Sequence, residues 1–440
     1  MSRKKFGLRN AAVPQPDRLP FPLKASYEDD SAGQHFRGRQ GILCSFIRRS
    51  ERRCDAAAMS RVSIAIALAL LCGLAQARSF LVGPQGQPYS LREALVQARD
   101  GDVIELMPGE YAEHAATLPA RRLTLRGLGS TRPVLHGRGG IAEGKAIWVV
   151  KGGEITVENL EFRGARAPDR NGAGLRLESG RLIVRRSAFF DNENGVLTVN
   201  DQQSELRIED SIFAHAPRDA GWTNHLIYVG RIARFELQGS RLHDGAKGHL
   251  LKSRARENWV LHNLLVDGDQ GQSSYEIDLP NGGDALLLGN VLVQGPKTEN
   301  PVVVAYGAEG GVWPRNRLRM AHNTLVNDSR MPAWFLRVWG DKLGEVQPEV
   351  LAVNNLTVGL GSFDWGAAGR FQGNRNSWRS PLVEPLVFDY ALQPDSGLRG
   401  KAVDAAAIDP ELVPKAEFQL PLGTRPLVPP ARWSPGAFQR

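Results

Sequence analysis

The feature that most limits what this chain can fold into is a short apolar-alternating run that keeps returning. It occurs as "ITVENLEF" (155–162), "LIVRRSAF" (182–189), "LRIEDSIF" (206–213), "FELQGSRL" (235–242), "WVLHNLLV" (259–266), "LLLGNVLV" (286–293), "LRMAHNTL" (318–325) and "LAVNNLTV" (351–358). Aligned on Leu160, Ser187, Ser211, Ser240, Leu264, Asn290, Asn323 and Asn355, the runs are spaced by 27, 24, 29, 24, 26, 33 and 32 residues. A second strand pattern follows each one, in "GLRLESG", "GVLTVND", "HLIYVG", "HLLKSR", "YEIDLP", "VVVAYG" and "WFLRVWG". A period in the twenties built from several short strands is the mark of a β-solenoid, where one turn cannot bury its apolar face alone and stacked turns can.

Residues i and i+2 of a strand share a face. On that rule Ile208, Leu237, Leu261, Leu287 and Met320 form one core column, and Phe162, Phe189, Phe213, Leu242, Leu292 and Leu325 another. The Ser and Asn residues at the bend suit ladders of side-chain hydrogen bonds, so Asn290, Asn323 and Asn355 read as structural. The ends depart from the repeat. "SLREALVQARDGDVIELMPGEY" (90–111) predicts an amphipathic helix, a turn at Asp100-Gly101 and then the first strand, with the helix covering the open end of the solenoid. From about Pro385 the chain is rich in Pro and loses the period, which predicts an irregular tail packing along or across the other end.

Charge and cysteine divide the chain in the same place. Residues 1 to 58 hold 12 Lys+Arg against 6 Asp+Glu, whereas from Arg78 onward 42 basic residues face 41 acidic ones. The basic surplus therefore gives no reason to expect a nucleic-acid partner. Cys44, Cys54 and Cys72 all precede Arg78, so the repeats have neither a disulfide framework nor a thiolate metal site. "MSRVSIAIALALLCGLAQARS" has a short basic start, an apolar stretch from Val62 to Leu74 too short to span a bilayer, and Ala75-Gln76-Ala77 as a small-x-small cleavage signal. Residues 59–77 read as a secretory signal peptide, and 1–58 as a disordered or non-native extension. The expected product is a secreted or periplasmic monomer without a stable membrane anchor, with the solenoid over 78–385 and the tail over 386–440.

The stretch 90–111, followed by "LTLRGLG" and the repeats, resembles the pectin-lyase-like, right-handed parallel β-helix superfamily, and "FDYALQPDSG" and "SPGAF" resemble the ends of its secreted bacterial members. The resemblance covers nearly everything from Phe80 onward. It implies an all-β right-handed parallel β-helix with an N-terminal capping helix and an irregular C-terminal tail. It leaves activity open, because the fold hosts lyases, hydrolases, epimerases and adhesins.

Within the repeats, "GHLLKSRARENWVLHN" (248–263) concentrates His249, Lys252, Arg254 and Arg256. A cation facing a dry core is very costly. Lys252, Leu250 and Arg254 should therefore point outward, and His249, Leu251 and Ser253 inward. The same reasoning puts Tyr228, Glu276 and Asp278 outward on the neighbouring coils, making a row of Tyr228, Lys252 and Glu276 with Arg254 and Asp278 beside it. His225 and His249 fall at equivalent inward positions, as stacked core histidines.

Three functions fit such a row. One is a solvated face of a non-catalytic carbohydrate-binding or structural solenoid. A second is a lyase acting on an acidic polysaccharide by β-elimination at a uronic acid, with Lys252 as base and Arg254 neutralising the carboxylate; Tyr228, Glu276, Asp278 and Tyr306 would bind substrate. Glu276 and Asp278 could hold Ca2+, the one cofactor the pattern suggests. "LLKSRARENWVLHN" resembles the Asn-Lys-Ser strand of the chondroitinase B-like alginate and chondroitin lyases, in which Lys252 matches the base. Those lyases carry an Arg-His pair in the next coil, where this chain has "YEIDLPNGG", and the Arg-x-Pro-x-x-Arg pattern of pectate lyases is absent. The third is a glycoside hydrolase using Glu276 and Asp278 as its carboxylate pair. The Asp267-Gly268-Asp269 stretch reads as a polar turn. "YGAEGGVWPRN" (306–316) reads as an inserted loop that walls a groove, and Trp222, Tyr306, Trp313, Trp334 and Trp339 could offer sugar-stacking surfaces.

Overall fold

The computed structural model describes residues 77–218, 224–345 and 347–440, all within one compact unit, Ala75–Arg440. The extension 1–58 and the signal segment up to Gln76 lie outside the described residues, as does Trp222. Among the described residues no helix is long and apolar enough to cross a membrane.

Each full coil contributes three short strands, and all strands of successive coils pair in parallel. The first sheet includes Ile227–Val229, Leu251–Ser253, Ile277–Leu279, Val302–Tyr306 and Ala333–Val338. The second includes Arg234–Gln238, Glu257–Leu261, Asp284–Leu288, Arg317–Ala321 and Glu349–Val353. The third includes Arg241–His243, Leu264–Val266, Val291–Gln294, Thr324–Asn327 and Leu356–Val358. The long strands Ala146–Glu158 and Ala173–Arg185 run through the corner between the first and second sheets. They turn at Gly152, Gly153 and Gly180, whose positive φ angles a side chain would disfavour. This is the right-handed parallel β-helix that the repeats imply.

The core columns are those expected, with one slip. Phe162, Phe189 and Phe213 stack in register at 5.2 and 4.5 Å between ring centroids. Val260, not Leu261, continues the column Ile208–Leu237–Leu287–Met320. Leu261 faces outward. The same one-residue shift puts Asn263 at the bend, where it joins the ladder: its Nδ2 donates to Asn290 Oδ1 (3.0 Å), Asn290 to Asn323 (2.9 Å), Asn323 to Asn355 (2.9 Å) and Asn355 to Asn374 (2.9 Å). Upstream, Ser240, Ser211 and Ser187 occupy the ladder.

The N-terminal helix, Leu91–Gln97, starts on a capping box in which Ser90 and Glu93 exchange hydrogen bonds. It buries Leu91, Ala94 and Leu95 in the main core. The first strand, Ser79–Val82, comes before this helix and pairs with Val103–Leu106, so the solenoid begins one element earlier than expected.

The tail packs along the solenoid. Its hairpin begins at Leu382, and Leu382, Tyr390, Leu392, Phe418 and Phe438 cover Leu264, Val266, Val291, Val293, Val326 and Val358 on the outer face of the third sheet. Ala405 and Leu412 cover Leu286, Leu288, Leu351 and Val353 on the second. Arg319, 2% exposed, fastens the tail by pairing with Asp284 (3.4 Å), Asp409 (3.3 Å) and Glu411. The apolar contacts of the tail thus fall on the outer faces of the second and third sheets.

Candidate functional site

The site is set by how the chain enters the strands of the first sheet. The pairs Leu226–Ile227, Leu250–Leu251 and Val303–Val304 are each buried in the core. Two successive residues face the axis because the backbone is still turning the corner, and alternation starts only afterwards. Glu276–Ile277 occupies the same place: Leu251 N donates to Glu276 O (3.1 Å) and Glu276 N to Val303 O (3.2 Å).

This geometry corrects several expectations. Glu276 points inward and is fully buried, with no hydrogen-bond partner for either carboxyl oxygen among the described residues. Burial, with Asp267 nearby, pushes its carboxyl well above the usual range and so favours its protonated form. Glu276 therefore does not meet a substrate. Glu276 and Asp278 can neither share a Ca2+ ion nor flank a glycosidic bond, because they lie on opposite faces. Tyr306 is also in the core, its hydroxyl donating to Gly283 O at 2.5 Å, and does not line the outer face. Leu250 is inward, and His249 is outward at the corner. His225 and His249 do stack (4.9 Å) and are hydrogen-bonded, with His249 N donating to His225 Nδ1 at 2.9 Å, and Tyr275 continues the stack at 4.6 Å. Burial and the nearby His249, Lys252 and Arg254 hold the His225 imidazole well below its usual range.

The outward row is Tyr228, Lys252 and Asp278, in register on three adjacent strands. Lys252 Nζ lies 3.2 Å from Asp278 Oδ2, and the same oxygen lies 3.2 Å from His249 Nε2. Arg254 stands two residues beyond Lys252. Its Nη1 donates to Tyr228 Oη at 2.6 Å, with the guanidinium 5.2 Å from that ring's centroid.

The partner that completes the site is Glu309, from the inserted loop. It accepts from Lys252 Nζ at 2.8 Å, from Arg254 Nε at 3.0 Å and from Arg254 Nη2 at 2.7 Å. Burial works against the charged form of Glu309, yet these hydrogen bonds hold its carboxyl below the usual range. The loop is pinned from two sides, by Glu309 N donating to Pro280 O (2.9 Å) and Trp313 Nε1 donating to Arg254 O (3.1 Å). The expected groove wall is therefore in contact with the cations. The side chains of Lys252 and Arg254 are only 12% and 17% exposed. Nothing in the strand periodicity marks Glu309; only its place in a glycine-bounded insertion could have.

The Asp267 turn is polar and self-contained, its carboxylate accepting from Ser273 N at 3.0 and 3.1 Å. A grouping able to hold a metal lies elsewhere, at the ends of two third-sheet strands: His215, His243 and Asp244, with His243 Nδ1 2.6 Å from Asp244 Oδ2.

No family model matches the chain, and no curated protein matches it. Among solved structures, the pectate lyase Pel9A superposes with a TM-score of 0.57 at 14% identity, over 84% of this chain and 98% of that one. The DFA-IIIase from Arthrobacter chlorophenolicus A6 follows at 0.40 and 12% (71% of this chain, 97% of that), and a rhamnogalacturonan lyase at 0.39 and 11% (75% and 98%). The chain has the right-handed parallel β-helix fold of the pectin-lyase-like proteins. At these identities the likeness is one of fold.

Proposed function

We propose that the outer face of the first sheet binds an acidic polysaccharide and cleaves it by β-elimination at a uronic acid, in an exported protein that uses segment 59–77 as its signal. The observation that carries this reading is the grip of Lys252 and Arg254 on the Glu309 carboxylate. A planar guanidinium beside an ammonium is a receptor for a carboxylate, and a uronate can present the same group in the same place. The likeness of fold to a pectate lyase supports the substrate class.

β-Elimination removes the proton beside the uronate carboxylate, forms a carbon–carbon double bond and expels the glycosidic oxygen, which takes up a proton. A carboxylate neutralised by Arg254 stabilises the negative charge that develops as the proton leaves. Lys252, freed from Glu309 by the incoming uronate, is the group placed to accept that proton once its ammonium has given its own proton to solvent, since only the neutral amine can act as the base. Asp278 contacts both Lys252 and His249 and holds them on one side of the bound sugar.

The test is to incubate the mature protein with pectate, alginate and glycosaminoglycans, with and without Ca2+, and follow the ultraviolet absorbance of unsaturated products. An unsaturated product on any of them supports the lyase. Retained binding with no product makes the face a carbohydrate-binding module, and new reducing ends without unsaturation would make the enzyme a hydrolase.

A further inference from the structure

The strand Ala333–Val338 and the residue after it repeat the corner geometry. Phe335 and Leu336 are both fully buried in the core, which leaves Trp334, Arg337 and Trp339 half-buried on the outer face. The Arg337 guanidinium carbon lies 4.3 Å from the ring centroid of Trp334 and 4.3 Å from that of Trp339. Trp365, 60% exposed, adds a third indole 5.3 Å from Trp334. Guanidinium faces are satisfied by aromatic rings, whereas the N–H edges call for an acceptor. Among the described residues no carboxylate lies within ion-pair distance of Arg337. The other arginines of this sheet's middle coils, Arg176 and Arg254, are paired with Glu178 and Glu309.

Register connects this cluster to the site. Arg337 pairs with Ala305, Ala305 with Asp278 and Asp278 with Lys252. Arg337 therefore lies on the same outward row three strand spacings from Lys252, about 14 Å along the solenoid. Tyr275, stacked on His249 at 4.6 Å, stands beside this row: burial and then the charge of Asp278 raise its hydroxyl, while Arg337 and Lys252 oppose that shift. Ala305, between them, adds no charge to the row.

We propose that Trp334, Arg337 and Trp339, with Trp365 at the edge, form a second anionic-sugar subsite. It takes the carboxylate of a uronate further along the chain whose reacting residue sits at Lys252 and Arg254. The indoles present faces for the sugar ring, and the clamped guanidinium offers a flat, pre-positioned fork for the carboxylate. The inference rests on the acidic-polysaccharide reading and adds that the substrate must be long enough, and charged at a distance, to occupy both places.

The test is calorimetric binding of galacturonate and mannuronate oligomers, from dimer to hexamer, with neutral cellohexaose as control, to the native chain, Arg337→Ala and Arg337→Lys. Affinity for the native protein should rise with length. Arg337→Ala should lose about ten-fold or more on the hexamer and leave the dimer unchanged, as expected for loss of a charge-assisted pair. Arg337→Lys, which keeps the charge and loses the flat fork, should not restore it; quenching of tryptophan fluorescence by the hexamer should weaken in both variants. Hexamer binding unchanged in Arg337→Ala, but lost in Arg254→Ala, overturns the subsite and leaves the functional reading standing. If no uronate oligomer binds the native protein, both fall. Equal binding of cellohexaose overturns the anionic assignment.

Discussion

Arg254 holds the carboxylate of Glu309, 55 residues further along the chain, through Nε at 3.0 Å and Nη2 at 2.7 Å. The contact ties a loop to the one outer face that the tail does not dress, and it fills the position proposed for a substrate carboxylate. Glu309→Gln removes the negative charge and keeps the shape. The variant should bind galacturonate oligomers several-fold more tightly, because the cations no longer exchange one carboxylate for another. Glu309 is 41% exposed by side chain, so the stability lost should be at most about 1 kcal/mol. Titration calorimetry and thermal melting check both parts; weaker binding would make Glu309 a contributor to the substrate site.

Lys252 is the group assigned the proton. Lys252→Ala and Lys252→Arg should each lower kcat by roughly 10² to 10⁴ on whichever polyuronate the native protein cleaves. Lys252→Arg should also retain binding, since the charge facing Asp278 and Glu309 is kept. Absorbance assays alongside binding measurements separate the two effects. Full turnover in either variant removes Lys252 from the chemistry.

The bend ladder carries a separate prediction about stability. Asn323 Oδ1 accepts from the backbone N and Nδ2 of Asn290 (3.0 and 2.9 Å), while its Nδ2 donates to Leu287 O (2.8 Å) and Asn355 Oδ1 (2.9 Å). Asn323→Leu strands these buried partners, each worth about 1–3 kcal/mol, so the chain should lose at least about 3 kcal/mol. Asn374→Ala, at the half-buried end of the ladder, should cost less. Equilibrium denaturation of the two variants checks the order.

The solenoid was legible because stacking makes each coil repeat the same apolar positions, and Phe162, Phe189 and Phe213 advertise it. The ladder was legible for the same reason. The slip at Leu261 and Leu264 arose because the tail buries the outer faces there, which makes outward leucines look like core. An aperiodic, Pro-rich tail offers no pattern from which that cover could be read. The outward placement of Lys252, Arg254, Tyr228 and Asp278 followed from strict alternation. The same rule failed at Glu276 and His249, because the corner turns two successive residues inward before the pleat begins. Glu309 escaped because its position depends on the path of a loop, which no strand period encodes.

Glu276 tests that corner directly. Leu226 and Leu250 hold the equivalent places on the two preceding coils, and Val303 on the next. Glu276→Leu should therefore continue an apolar column and remove a carboxyl that has no hydrogen-bond partner among the described residues, stabilising the chain by about 1–3 kcal/mol near neutral pH. The sign of the pH effect follows from the raised folded value. The folded state holds the proton more tightly than the unfolded chain, so the stability of the native sequence is fully present below the unfolded value of 4.5 and declines as pH climbs toward the folded one. Asp267, pushed up to about 6 by burial, acts in the same direction between 3.8 and that value. Buried His262 and His322, pushed down to about 4, act in the opposite direction below 6.5, so the absolute stability curve mixes both kinds of group. The difference between the variant and the native chain cancels the two histidines and reports Glu276 together with its neighbour Asp267, and it should widen as pH rises above 4.5 in urea denaturation. A variant that is less stable than the native chain, with a difference independent of pH, would mean that the carboxyl is ionised and partnered, and that the corner does not face it into the core.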